Sequence, residues 1–197
     1  VLVQGLVGAR TRSEVSNQNT DNLLAHYGSW EAVAAAPVEE LAAMLATATY
    51  PNVMAERLKA ALTRLIELRG AVDLSHLEPL DTQAAMAWLE DLPGVGRKIA
   101  AGVLNASTLQ RRAVVLDSHH RRILQRMGLV PPKSDTARAF ASITPAIPSE
   151  WSAATMDEHH LLMKKIGQSY CRPQSPDCAD CPALSLCKTG LERTTER

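Results

Sequence analysis

Aromatic residues are scarce in this chain, 4% of 197 residues with a single phenylalanine. Alanine is abundant in their place, which favours closely packed helices over a β-sandwich. No alternating apolar and polar pattern of a half-buried strand is present, and no internal repeat or low-complexity segment. No apolar run approaches the roughly 20 residues that a membrane-spanning helix needs. Val1 to Val7 is apolar but short, lacks a basic leader and is not read as a signal peptide. It reads as a helix entered midway. Net charge is also absent: 21 basic side chains balance 21 acidic ones. That excludes a disordered basic arm or a strongly electrostatic, non-specific binder. A local basic face built from Arg111, Arg112, Arg121, Arg122 and Arg126 remains open. Lysines are few beside arginines, so each one merits separate inspection. No cysteine precedes Cys171, and all four lie between Cys171 and Cys187. A secreted disulfide framework would spread its bridges through a small, loop-rich chain. Four thiols crowded at one end of a helical chain point to a metal or cluster site in a reducing compartment.

What is present reads as helix throughout. Leu2 to Ala9 forms a first helix, broken at Arg10-Thr11-Arg12. Ser13 is placed to cap a second, with Val15, Leu23 and Leu24 apolar and Gly28 as its stop. Trp30 to Ala35 and Val38 to Leu45 are short helices separated by Pro37. Asn52 to Leu68 is strongly amphipathic, with Val53, Leu58, Leu62 and Leu65 near one face and Gly70 at its end. Asp81 caps a segment of good helix formers through Leu89. Arg97 to Leu109 is alanine-rich, with Ile99, Val103 and Leu104 at helical spacing. The apolar run Ala113 to Leu116 is compatible by itself with a short strand. Asp117 and Ser118 look like caps of a helix through Met127, stopped by Gly128. Ser134 to Ser142 and Glu150 to Ser169 complete the pattern, and only fragments are expected after Cys181.

Between the two central helices lies Leu92-Pro93-Gly94-Val95-Gly96-Arg97-Lys98. Two glycines and a proline permit a tight turn with exposed backbone N–H groups. The following helix then presents its unbonded N–H groups and positive dipole end. Such a hairpin suits a phosphate gripped through backbone donors, independent of base sequence. At the other end, Cys171-x6-Cys178-x2-Cys181-x5-Cys187 offers four thiolates on a loop stiffened by Pro173, Pro176 and Pro182. Spacing alone leaves a tetrahedral zinc and a cubane iron–sulfur cluster both open.

The string Leu92 to Lys98 resembles the helix-hairpin-helix of the endonuclease III family of DNA glycosylases. Val114-Val115-Leu116-Asp117-Ser118-His119 resembles the family segment that carries a catalytic aspartate. The cysteine spacing is similar to that of the family's cluster loop. The resemblance covers nearly the whole chain and implies an all-α, two-domain fold. Residues 1–112 would form a helical barrel with the hairpin and 113–197 an iron–sulfur cluster domain, the DNA-facing cleft lying between them. Relatives normally have a further helix before this point.

The resemblance also assigns roles. Lys98 is the expected nucleophile and Asp117 its partner carboxylate. A lysine in the first turn of a helix meets the positive dipole end, which tends to lower its pKa, and a neutral amine is what Schiff-base chemistry requires. Asp117 is equally placed to be a helix N-cap. The separation of Lys98 from Asp117 is one residue longer than expected in the family, and the loop Gln110 to Arg112 can absorb it. Gly94, Val95, Gly96 and Arg97, with His119, are expected against the DNA backbone. Loops around Arg10 and around Ala48 and Thr49 are expected to fill the hole left by an extruded base. Arg10 stands where relatives commonly have glutamine, and Ala48 and Thr49 make a small wedge that Tyr50 could supplement. Cys171, Cys178, Cys181 and Cys187 would hold a 4Fe–4S cluster. Carbonyls of Glu90, Leu92 and Val95 are candidates for a monovalent cation. Arg172 and Lys188 flank the cysteine loop, either as backbone contacts or as solvated surface.

The implied activity is base excision of oxidised pyrimidines with strand nicking at the resulting abasic site. Its partner would be double-stranded DNA carrying damaged bases or abasic sites, without a membrane. A monomer in a bacterial cytoplasm is expected, associated with the nucleoid. Alternatives are a monofunctional glycosylase for mismatched or alkylated bases, which Lys98 argues against, and a catalytically weak helix-hairpin-helix module. A zinc-stapled interaction domain is the third.

Overall fold

In the computed structural model, which describes residues 1–9 and 11–195, every regular element is a helix and no strand occurs among the described residues. Eleven α-helices follow in order: α1 (Leu2–Val7), α2 (Ser13–Tyr27), α3 (Trp30–Ala35), α4 (Val38–Met44), α5 (Pro51–Arg69), α6 (Thr82–Glu90), α7 (Arg97–Ala106), α8 (Ser118–Met127), α9 (Thr136–Ile143), α10 (Ala153–Ser169) and α11 (Lys188–Thr195). The chain divides into two compact units, Val1–Arg111 and Arg112–Arg197. None of the helices described is long and apolar enough to cross a membrane.

The first unit is built around α5. Its buried positions are Met54, Ala55, Leu58, Ala61, Leu62 and Leu65, the three- and four-residue steps of one helical face. Leu58, Leu62 and Leu65 fall on that face as expected, whereas Val53 stands 42% exposed and Met54 takes the buried place. Pro51 occupies the first turn, where a missing N–H costs nothing. Helices α1, α3 and α4 pack on α5, and Leu6, Val7, Leu23, Leu41, Leu45, Leu89 and Leu104 of this unit are all nearly inaccessible. Lys59, on the flank of α5, donates to the carbonyls of Ala34 (2.9 Å) and Ala36 (2.6 Å) at the end of α3. A cation on those terminal carbonyls complements the helix dipole and contributes about 1 kcal/mol.

The second unit has its own core of Val114, Leu116, Leu124, Val130, Ala139 and Met156, with Phe140, Ile143, Ile147, Trp151 and Met163 against it. The lone phenylalanine of the chain is therefore spent here. The run Ala113 to Leu116 is not a strand. It is a buried segment without regular structure, and its Val114 and Leu116 enter this core.

Three further expectations are corrected. Arg12, not Ser13, holds the extended cap position of α2, because Ser13 has already entered the helix, and no side chain caps that end. Leu24 lies on the outer side of α2, 42% exposed, while Leu23 is buried. The tail, expected to be fragmentary, carries α11. Its only buried residue is Gly190, so no apolar period announced it.

Candidate active site and cysteine loop

The hairpin is made by α6, a turn and α7. Asp81 accepts the backbone N–H of Ala84 at 2.8 Å and so starts α6. The turn closes through the N–H groups of Leu92 to Leu89 (3.2 Å) and Val95 to Leu92 (3.0 Å). Gly94 carries a φ of 76°, a left-handed conformation that other residues adopt at a cost, and a side chain there would press on the stem of Arg57. The ladder of α7 begins with Ile99 and Ala100, both donating to Gly96 (2.8 and 3.1 Å). Lys98 is thus the second residue of the helix and is exposed.

Other predicted contacts look different in three dimensions. The side chain of Val95 is buried, so this position has only backbone to offer. Arg97 is exposed, but its Nε lies 2.8 Å from Glu90 Oε1 and its Nη2 3.2 Å from Oε2. Ala48 is 8% exposed and faces inward, which removes its side chain as a wedge, whereas Thr49 and Tyr50 are exposed. That loop is tied down by Thr47 donating to Asn19 Oδ1 (2.9 Å) and Thr49 N–H donating to Thr11 (3.3 Å). Arg10 lies outside the described residues. Gln110, in the loop expected to absorb one extra residue, has a φ of 44°, unusual for a residue with a Cβ.

In the second unit, Asp117 caps α8 by accepting the N–H of His120 at 2.8 Å. The same helix holds the cysteine loop. Arg122 donates from Nε to Cys171 O (2.8 Å) and from Nη2 to Gly167 O (2.9 Å) and His119 Nδ1 (3.1 Å). One turn later Arg126 donates to the carbonyls of Arg172 and Pro173 (both 2.7 Å) and to Cys171 Sγ (3.1 Å). Arg111 and Arg112 likewise donate to the backbone, at Glu78 and Pro148. The basic face considered from sequence is therefore largely spent on internal carbonyls. His119 packs on α10, where a Cβ at Gly167 would come within 2.5 Å of it. Arg172 and Lys188 are exposed.

The four cysteines are free thiols and line one small cavity with Arg126, Tyr170, Pro176, Leu184 and Gly190. Burial pushes the Cys181 thiol up; the nearby Cys171, Cys187 and Cys178 push it further, against a backbone hydrogen bond from Ala183. Among the described residues no three His, Cys, Asp or Glu side chains gather closely enough for one metal ion. A polynuclear cluster takes its thiolates on separate metal atoms, so it tolerates this wider ring, and its cationic core offsets the mutual repulsion of four sulfurs. The donor set fits such a cluster.

Lys98 belongs to the first unit and Asp117 and the cysteines to the second. Neither a cavity of about 300 Å³ beside Trp30, Leu65 and Val103 nor an open groove of about 880 Å³ beside Arg126, Pro131 and Lys188 is lined by Lys98 or Asp117.

These geometries define the class. Residues 3–146 match the model of the HhH-GPD superfamily base excision DNA repair proteins, and the chain belongs to that superfamily. Within it, the chain is similar to endonuclease III of Bacillus subtilis, 29% identical over 98% of this chain and 82% of that protein. The solved structure of a trapped endonuclease III–DNA covalent intermediate superposes with a TM-score of 0.79 at 26% identity, over 98% of this chain and 84% of the other. The DNA glycosylase/AP lyase ROS1 of Arabidopsis thaliana is 27% identical over 81% of this chain, which spans only 12% of that longer protein.

His120 is 2% exposed and its buried Nε2 has no hydrogen-bond partner among the described residues. Burial pushes its pKa below the ordinary 6.5, against Val115 O, which Nδ1 meets at 3.1 Å; His159 pushes down as well and Asp117 pulls up. Burial also lowers His159. The folded unit thus stays neutral at these rings in a range where the unfolded chain takes up protons. Its stability must fall as pH drops through about 6.5. Chemical denaturation followed between neutral and mildly acidic pH should show that fall, and His120→Leu should flatten it in part. An unaltered pH slope in His120→Leu would contradict the assignment.

Proposed function

We propose that the protein is a bifunctional DNA glycosylase and AP lyase that removes oxidised pyrimidines from double-stranded DNA. The observation that carries the reading is Lys98 in the first turn of α7, directly after a hairpin turn with a left-handed Gly94. A damaged nucleotide must leave the duplex before its glycosidic bond can be reached. Backbone donors around Gly94 and Gly96 hold a phosphate beside the flipped nucleotide. Thr49 and Tyr50 occupy the space it leaves, with Arg10 the proposed contact to the orphaned base. Carbonyls of Glu90, Leu92 and Val95 are the proposed seat of a monovalent cation.

Asp117, oriented by its capping bond to His120, stays ionised and stabilises positive charge growing on the sugar. Its charge also assists the loss of a proton from Lys98 to solvent. The neutral amine attacks C1′, the bond from C1′ to the base nitrogen breaks, and the base departs with the electron pair. The nitrogen, having lost a proton, then forms the C=N bond of a Schiff base as the C1′–O4′ bond breaks, and O4′ takes up a proton as the sugar ring opens. Loss of a C2′ proton and cleavage of the C3′–O bond nick the strand on its 3′ side. Cys171, Cys178, Cys181 and Cys187 hold a 4Fe–4S cluster, which when bound organises a loop too poor in apolar residues to fold alone. Arg122 and Arg126 fix that loop to the helix that Asp117 caps.

Borohydride should trap a covalent adduct with DNA bearing thymine glycol or an abasic site. Lys98→Gln should abolish trapping while leaving binding to an abasic analogue largely intact, and Asp117→Asn should keep the cap and the fold while slowing trapping by about a hundredfold or more. Undiminished trapping by Lys98→Gln would remove that residue from the role. Protein purified without oxygen should be yellow-brown and contain iron. Stoichiometric zinc without iron would overturn the cluster.

A further inference from the structure

We propose that Arg57, and not Arg97, supplies the hairpin's positive charge to a DNA phosphate. The inference rests on the reading above that this hairpin grips the DNA backbone. Arg97 is the obvious candidate from sequence, since it opens α7 beside two glycines. Its guanidinium is already engaged edge to edge by the Glu90 carboxylate through two contacts of 2.8 and 3.2 Å. Fork-to-fork pairing of this kind is geometrically specific, and it leaves the pair with no net charge. The two side chains are 42% and 26% exposed, so neither is buried away from a ligand. What Glu90 removes is the field that Arg97 would otherwise present to a phosphate. Its contribution to folding at such a site is small.

Arg57 comes from α5 and reaches the same turn from beneath. Its Cβ, Cγ and Cδ lie 3.1 to 3.3 Å from the point where a side chain on Gly94 would begin. The missing side chain of Gly94 is thus the space along which the arginine stem runs. The residue is exposed, and its guanidinium has no hydrogen-bond or ion-pair partner among the described residues. An exposed arginine whose stem lies against Gly94 brings an uncompensated cation to the turn that carries the backbone donors. The grip would then combine neutral N–H groups with one charge, in keeping with a chain of zero net charge.

The protein and four variants, Arg57→Gln, Arg57→Lys, Arg97→Gln and Glu90→Gln, are titrated with a duplex carrying an uncleavable abasic analogue over a series of potassium chloride concentrations. Each phosphate neutralised contributes about 0.9 to the slope of log K against log salt. Arg57→Gln should lower the slope by about that amount, and Arg57→Lys should restore it. Arg97→Gln, which removes a charge already balanced by Glu90, should lower the slope by less than Arg57→Gln does, and Glu90→Gln, by releasing Arg97, should steepen it. A loss of slope in Arg97→Gln that equals or exceeds that in Arg57→Gln overturns the proposal, as does a slope unchanged in Arg57→Gln. Nicking of an abasic duplex by the unaltered protein separates the two levels. If it nicks and the slopes disagree, only the role of Arg57 fails. If it neither nicks nor binds, the reading beneath it fails as well.

Discussion

The tight reversal from Leu92 to Gly96 is the constraint on which the proposed chemistry depends. One backbone position, Gly94, takes a left-handed φ of 76°, and the chain turns from the end of α6 into the start of α7 within a few residues. Everything chemical about this region follows from that turn. It sets Lys98 in the first turn of a helix, where the dipole disfavours a cation. It brings Glu90 and Arg97 together across its mouth. It also leaves backbone donors, rather than side chains, as the means of holding a phosphate.

The second unit applies the same economy to a different problem. A single helix, α8, begins at a carboxylate and ends near a loop of four thiols. Asp117 fixes its first turn, while Arg122 and Arg126, one turn apart, carry the carbonyls of Cys171, Arg172 and Pro173. Three charge-assisted bonds of 2.7 to 2.8 Å make the loop an extension of the helix. Arginines that look from sequence like a face for nucleic acid are instead internal fasteners. Removing either guanidinium would orphan carbonyls at the loop's entry.

Much of the fold was legible in the sequence because its punctuation is local. The glycine after Tyr27, the proline between α3 and α4, the aspartates before α6 and α8 and the glycine after Met127 each mark a helix end by a bond or dihedral their own residue supplies. Where tertiary packing decides, the reading went astray. Val53 and Met54 are neighbours of similar character, and only the position of the core selects Met54. Ala113 to Leu116 is β-prone, yet it takes up no regular structure, and its Val114 and Leu116 are drawn into the second core. Helix α11 buries almost nothing of its own and left no periodic signal. The candidate site shows the same division. Asp117 as a cap was readable from its place before an apolar-periodic helix. The pairing of Glu90 with Arg97 was not, since it depends on the path of the turn between them, and neither were the inward turn of Ala48 and the burial of His120, which are fixed by packing.

In the proposed chemistry one amine, that of Lys98, forms the covalent bond to the sugar. The direct measurement is to trap the full-length protein on abasic duplex with borohydride, digest the adduct and locate the modified residue by tandem mass spectrometry. The account predicts modification at Lys98 in the peptide that follows Gly96. Modification at Val1, Lys59, Lys164 or any other amine, with Lys98 recovered unmodified, would contradict it.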